Sequence, residues 1–130
     1  MFAREYELVF VVRPDVADED LEVIKDRTTR IIEEREGKML DVEDWGKRRL
    51  AYDIRKYSKG HYFLFRYLGG TDAVNEIERT FRIDDSVLRF LHIKEDDRVD
   101  VETRVAEFAA RRAAAEAAAP AEAASGAAAG

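Results

Sequence analysis

The sequence contains no cysteine, which excludes disulfides, thiolate metal sites and cysteine nucleophiles. Its two histidines, His61 and His92, fall on different predicted strands and lack the His-x-x-x-His spacing of a metal site. Both read as structural or surface hydrogen-bonding residues. No metal or cofactor is implied. No apolar run approaches the ~20 residues that a membrane span requires. Residues 1–6 include Arg4 and Glu5 and lack the apolar stretch of a secretory signal. Gly69-Gly70 is not followed by Lys-Ser or Lys-Thr, so no phosphate-cradling loop is present. Ser58 lies across a turn from His61, with no carboxylate placed to orient the imidazole. Asp84-Asp85 and Asp96-Asp97 are sequence neighbours, better suited to capping and solubility than to acid–base work. The expectation is a cytoplasmic, non-enzymatic chain with no small-molecule substrate and no membrane association.

What the chain does have is 130 residues, 46% of them hydrophobic and 38% charged. That suffices for one core and at most a tail. The net charge of −6 hides an uneven distribution. Residues 15–44 hold twelve acids against five bases, whereas residues 46–66 hold seven bases against one acid, Asp53. Screening limits each charge to roughly 8–10 Å, so a basic island can attract phosphates although the whole molecule is acidic.

Residues 5–12 alternate as a strand, with Tyr6, Leu8, Phe10 and Val12 on one side, and Pro14 breaks it. Residues 18–36 carry Leu21, Ile24, Thr28, Ile31 and Ile32 at helical spacing, with Asp18 as N-cap and Gly37 at the C′ stop. Residues 38–54 form a long strand, with Leu40, Val42, Leu50, Tyr52 and Ile54 in one parity and a bulge at Trp45-Gly46. Residues 55–60 read as a polar hairpin connection and 61–68 as an aromatic strand. Thr71 or Asp72 caps a helix whose stripe is Val74, Ile77 and Phe81. Residues 87–94 give the last strand.

The order βαββαβ, with right-handed crossovers, predicts a ferredoxin-like sandwich of class α+β, in which two helices cover one face of a four-stranded antiparallel sheet. The domain spans 1–95. Residues 96–130 form an Ala-rich tail, expected to be a frayed helix running into disorder and to add little to stability.

Two helices cover one sheet face, so the other should be polar. Instead Val9, Val11, Leu64 and Leu91 fall on that face, an apolar strip that suggests a protein-partner surface. In the island, Lys47, Arg48, Arg49, Arg55, Lys56 and Lys59 are the candidate RNA-binding residues, because an arginine fork suits phosphate. Trp45 could stack on a base, but core packing is the expectation for a lone tryptophan. Lys59-Gly60-His61-Tyr62-Phe63-Leu64-Phe65-Arg66 matches the RNA-recognition-motif strand weakly, departing at His61, Tyr62 and Arg66.

The block Gly46-Lys47-Arg48-Arg49-Leu50-Ala51-Tyr52-Asp53-Ile54-Arg55, followed by Lys56 and Gly60-His61-Tyr62-Phe63, resembles the signature of the bacterial small-subunit ribosomal protein six family. Tyr6-Glu7, Arg13-Pro14 and the stretch Arg82-Ile83-Asp84-Asp85-Ser86-Val87-Leu88-Arg89 resemble it as well. The likeness covers residues 4–95 and not the tail. It implies the same βαββαβ fold and a structural role in the small subunit. It further implies binding to the central domain of small-subunit ribosomal RNA as a heterodimer with small-subunit ribosomal protein eighteen. The competing readings are a ferredoxin-like regulatory or small-molecule-binding domain and an acylphosphatase-like enzyme. The basic island argues against both, and sedimentation with the small subunit separates them from a ribosomal protein.

Overall fold

The computed structural model describes residues 2–129, with side chains described through 117. The chain runs β1 (Phe2–Val12), α1 (Asp18–Glu34), β2 (Lys38–Ile54), β3 (Tyr57–Gly69), α2 (Thr71–Ile83), β4 (Val87–Asp100) and α3 (Val101–Ala129). The four strands form one sheet in the order β2-β3-β1-β4, antiparallel throughout. This is the expected ferredoxin-like α+β sandwich. Tyr6, Leu8, Phe10 and Val12 of β1 and Phe63, Phe65 and Tyr67 of β3 pack against Leu21, Ile24 and Ile32 of α1 and Ile77 and Phe81 of α2. Period-two alternation on the strands thus meets period-3.6 stripes on the helices, and that match makes the main core.

Helix boundaries differ slightly from the sequence reading. Ala17, not Asp18, is the N-cap of α1, and Asp18, Glu19 and Asp20 fill its first turn, where negative charge complements the helix dipole. At the other end the Glu36 N–H donates to the Glu33 carbonyl and the Gly37 N–H to that of Ile32. That pair of bonds is a Schellman motif, in which Glu36 at φ 62° takes the left-handed C′ position and Gly37 follows it.

β-Bulges reassign several side chains between faces. Leu40 lies on the face away from α1 and α2, where it meets Leu68, and the register shift between Met39 and Asp41 brings Val42 round to stand opposite Phe65. A second shift, between Val11 and Val12 of β1 against β4, places Leu88 with Val11 and Leu50 instead of with Phe90. Val42, grouped with Leu40 by parity, is exposed. One extra residue reverses the parity of everything beyond it.

The face away from α1 and α2 is not a continuous open strip. Val11 and Leu64 are buried, at 5% and 4% exposure, while Leu91 is 57% exposed and Val9 is half-buried. Val11 is covered because Leu50 and Leu88 fold over it. Leu64 sits mid-sheet between Val9 and Glu43, beside an ionic cluster centred on Arg66.

The segment beyond residue 95 also takes a definite form. β4 continues to Asp100, and α3 docks on this second face through Phe108, which packs with Leu40 and Leu68. Arg112 Nη2 donates to the Leu40 carbonyl at 2.8 Å, at the residue that the β2–β3 register skips. The disorder expected beyond Pro120 falls on residues whose side chains lie outside the described residues. Among the described residues no helix is long and apolar enough to cross a membrane.

Candidate nucleic-acid interface

β1 pairs with β3 as far as Val12↔His61, while β2 and β3 continue pairing to Ile54↔Tyr57. The β2–β3 hairpin therefore projects past the end of β1 as an arm. Its turn is shorter than the six-residue connection expected. Two residues, Arg55 at φ 50° and Lys56 at φ 68°, make it, both left-handed, as a type I′ turn requires. Between Arg49 and Ile54 the register slips again, and Leu50 at this kink anchors the arm onto Val11 and Leu88. The arm lies close against β1. A Cβ on Gly60 would meet Val11 Cγ1 at 2.2 Å, so glycine is required for the approach.

All six candidate cations stand on this arm and all are exposed: Lys47, Arg48, Arg49, Arg55, Lys56 and Lys59. Among the described residues none of them is in a salt bridge. Arg55 Nη1 donates to the Asp85 carbonyl at 3.1 Å, tying the tip to the α2–β4 loop. Lys47 faces His61, Arg48 faces Gly60 and Arg49 faces Lys59. Lys47, Arg49 and Lys59 therefore share one face of the arm, and Arg48 takes the opposite one, toward Val11. Tyr52, 60% exposed, accepts a hydrogen bond from Arg89 Nη1, a second tie between arm and β4.

The seventh base of the island does not belong with the others. Arg66 is neutralised by Glu7 (2.9 Å), Asp41 (3.2 Å) and Glu43 (2.5 Å). Acids from β1 and β2 flank it on the sheet surface, so it holds strands together and is not free for a ligand. Sequence counting missed this because Asp41 and Glu43 lie in the segment read as acidic surplus and Glu7 lies on a different strand.

Trp45 departs from the expected core position. It is half-buried and belongs to none of the three hydrophobic clusters. The bulge at Gly46, φ 75°, places it at the sheet edge. Its indole N–H donates to Glu43 Oε1 at 3.1 Å, and the Arg48 guanidinium lies 5.2 Å from the ring centroid. That indole hydrogen bond, supplemented by Arg66 and opposed by burial, holds the Glu43 carboxyl below the usual glutamate range. On the arm's other side, His61 stacks on Phe63 (centroids 4.5 Å, 5° between planes) and bonds Asp44 at 2.6 Å. Neither histidine lies in a group of three metal-binding side chains among the described residues.

The comparisons with known proteins agree with one another. The family model described as Ribosomal protein S6 matches residues 5–94. The small ribosomal subunit protein bS6 of Trichlorobacter lovleyi is 40% identical over 104 residues, 80% of this chain and 84% of that protein. The bS6 of Caldanaerobacter subterraneus subsp. tengcongensis is 42% identical over 94 residues, 72% of this chain and 99% of that protein. The crystal structure of 30S ribosomal protein S6 from Thermotoga maritima superposes with a TM-score of 0.67 at 29% identity, covering 84% of this chain and 98% of that one. The C-terminal domain of the Mycobacterium tuberculosis MgtC protein reaches 0.52 at 6% identity, over 72% of this chain and 89% of that one, and shares the fold alone. The chain belongs to the ribosomal protein S6 family, structural and non-catalytic proteins of the small subunit of the cytoplasmic ribosome.

Proposed function

We propose that within the small subunit this chain binds the central domain of small-subunit ribosomal RNA through the arm, as a heterodimer with small-subunit ribosomal protein eighteen. The observation that carries the reading is the arm itself. Six exposed cations, without ion pairs among the described residues, stand on a hairpin that projects past β1. Charges held this way on an acidic protein release counterions when they meet phosphates, and their mutual repulsion is relieved there. Two surfaces of the arm carry charge, so Arg48 and the Lys47–Arg49–Lys59 row address phosphates on different sides.

Val9, Val11, Leu64 and Leu91 are assigned to the protein partner. Leu91 and Val9 offer contact area, and the exposed Ile93 extends it. Val11 and Leu64 form the floor beneath.

The test uses the full chain with the partner protein and a central-domain RNA fragment. Replacing Lys47, Arg49 and Lys59 with alanine should lower the slope of log K against log salt by roughly two to three units. An unchanged slope would assign these cations to a solvated surface. Leu91→Lys should fold normally and fail to retain the partner in a pull-down. Normal pairing by that variant would move the partner elsewhere.

A further inference from the structure

Trp45 is the sole tryptophan, and its position calls for an explanation other than packing. It stands outside all three clusters, at a bulge that puts it on the β2 edge, next to Arg48. Its indole is oriented from two directions. The N–H is fixed to Glu43, which Arg66 holds in turn, and Arg48 stands over the ring with its Nε donating to the Trp45 carbonyl at 3.3 Å. A large aromatic held at the surface beside an exposed arginine has the makings of a site for a ring plus a phosphate.

We propose that Trp45 and Arg48 form a stacking site for one unpaired nucleobase, with Arg48 taking the adjoining phosphate. Bases within a duplex already stack on each other, so an indole platform selects a bulged, looped or junction nucleotide. The tie to Glu43 leaves the ring pre-oriented, which reduces the ordering needed on binding. Stacking is tolerant of base identity, so the site reads the absence of pairing, not the sequence. This rests on the RNA-binding reading above and deepens it, since phosphate contacts alone need no aromatic group.

The experiment compares wild type, W45F and W45L, each as the full chain with the partner protein, on the central-domain RNA fragment. Affinity is read by filter retention. Cross-linking at 254 nm followed by mass spectrometry of the peptide–RNA adducts locates the stacked base. Loss of a base–aromatic stack costs about tenfold to hundredfold in affinity. W45L should show that loss, W45F should recover most of it, and the wild-type adduct should map to Trp45 and an unpaired nucleotide. W45L binding within twofold of wild type, with no adduct at Trp45, would overturn the stacking site and leave the phosphate-binding arm standing. Intact RNA affinity with lost partner pull-down would assign the ring to a protein contact and overturn it too. Failure of wild type to retain RNA at any salt concentration would overturn both readings.

Discussion

Arg104 closes on Glu5 across ninety-nine residues, with Nε 2.6 Å from one carboxylate oxygen and Nη2 3.2 Å from the other. The Glu5 side chain is 5% exposed and that of Arg104 27%. A carboxylate so placed on the sheet needs a counter-charge, and α3 brings one. The hydrogen bonds to Glu5 and then to Glu107 raise the Arg104 pKa well above its usual value. Arg104 therefore carries its charge whenever the chain is folded.

Arg104→Ala should destabilise the domain by about 2 kcal/mol, below the 3–5 typical of a fully buried pair because water reaches the arginine. Phe108→Ala should cost about 2–3 kcal/mol, because the cavity it leaves opens toward solvent on one side. Truncation after Asp97 should cost more than either alone. Urea midpoints check all three. A truncated chain with an unchanged midpoint would show that α3 adds nothing to the domain.

Gly60→Ala forces a methyl group into Val11 Cγ1. The expected loss is about 1–3 kcal/mol, with the arm lifted from β1. Adding Val11→Ala should restore much of the stability, because it removes the atom that the new methyl meets. Two additive losses would mean that the backbone, and not Val11, sets the approach.

At the arm's tip, Arg55 and Lys56 hold left-handed backbone, costing roughly 1–2 kcal/mol each for residues with a Cβ. Arg55→Asn with Lys56→Gly should raise stability by about 1 kcal/mol. The same change removes two cations and should lower the salt slope of RNA binding. Stability and binding are thus expected to move in opposite directions, as thermal melts and salt titrations would show.

His92 makes stability depend on pH near neutrality. Burial lowers its pKa from 6.5, opposed by Glu78. Its Nδ1 faces Glu78 at 3.0 Å and its Nε2 the Tyr67 hydroxyl at 2.8 Å. In the neutral ring Nδ1–H donates to Glu78 and Nε2 accepts from Tyr67. The unfolded chain takes up the proton first as pH falls below 6.5, so stability should decline from there toward the lower folded pKa and stay level above it. His92→Gln should flatten the decline that begins below pH 6.5. An unchanged profile would place the titration elsewhere.

The layers were legible because apolar spacing repeats where the core is: Leu8, Phe10 and Val12 on β1, Leu21 and Ile24 on α1, Phe63 and Phe65 on β3. The bulge at Gly46 was also legible, since a glycine interrupts an alternating strand. The bulges beside Leu40 and Leu88 carry no such mark, and only the pairing register reveals them. Trp45 was misplaced because hydrophobicity predicts burial and says nothing of a ring held at an edge by Glu43. The docking of α3 had a signal in Val101, Arg104, Val105, Phe108 and Arg112, which fall at helical spacing. Fifteen alanines in residues 106–130 obscured it, because composition argued for a tail while four or five larger side chains decided the outcome. The six arm cations are where the charge count put them, whereas Arg66 needed the register of β1 and β2 to be understood.

The sheet order has a consequence for biosynthesis. β1 emerges first but occupies an interior position, hydrogen-bonded to β3 on one side and β4 on the other. Neither neighbour exists until much of the chain has been made, and Glu5 waits longest, for Arg104. A nascent chain halted before β3 therefore displays an apolar strand with both edges bare, a template for pairing with other chains. Contacts so distant in sequence also slow the closing step. The chain's own synthesis is thus the interval of greatest exposure to aggregation, and a slow codon or a stall between α1 and β3 should harm its yield more than one placed within α3.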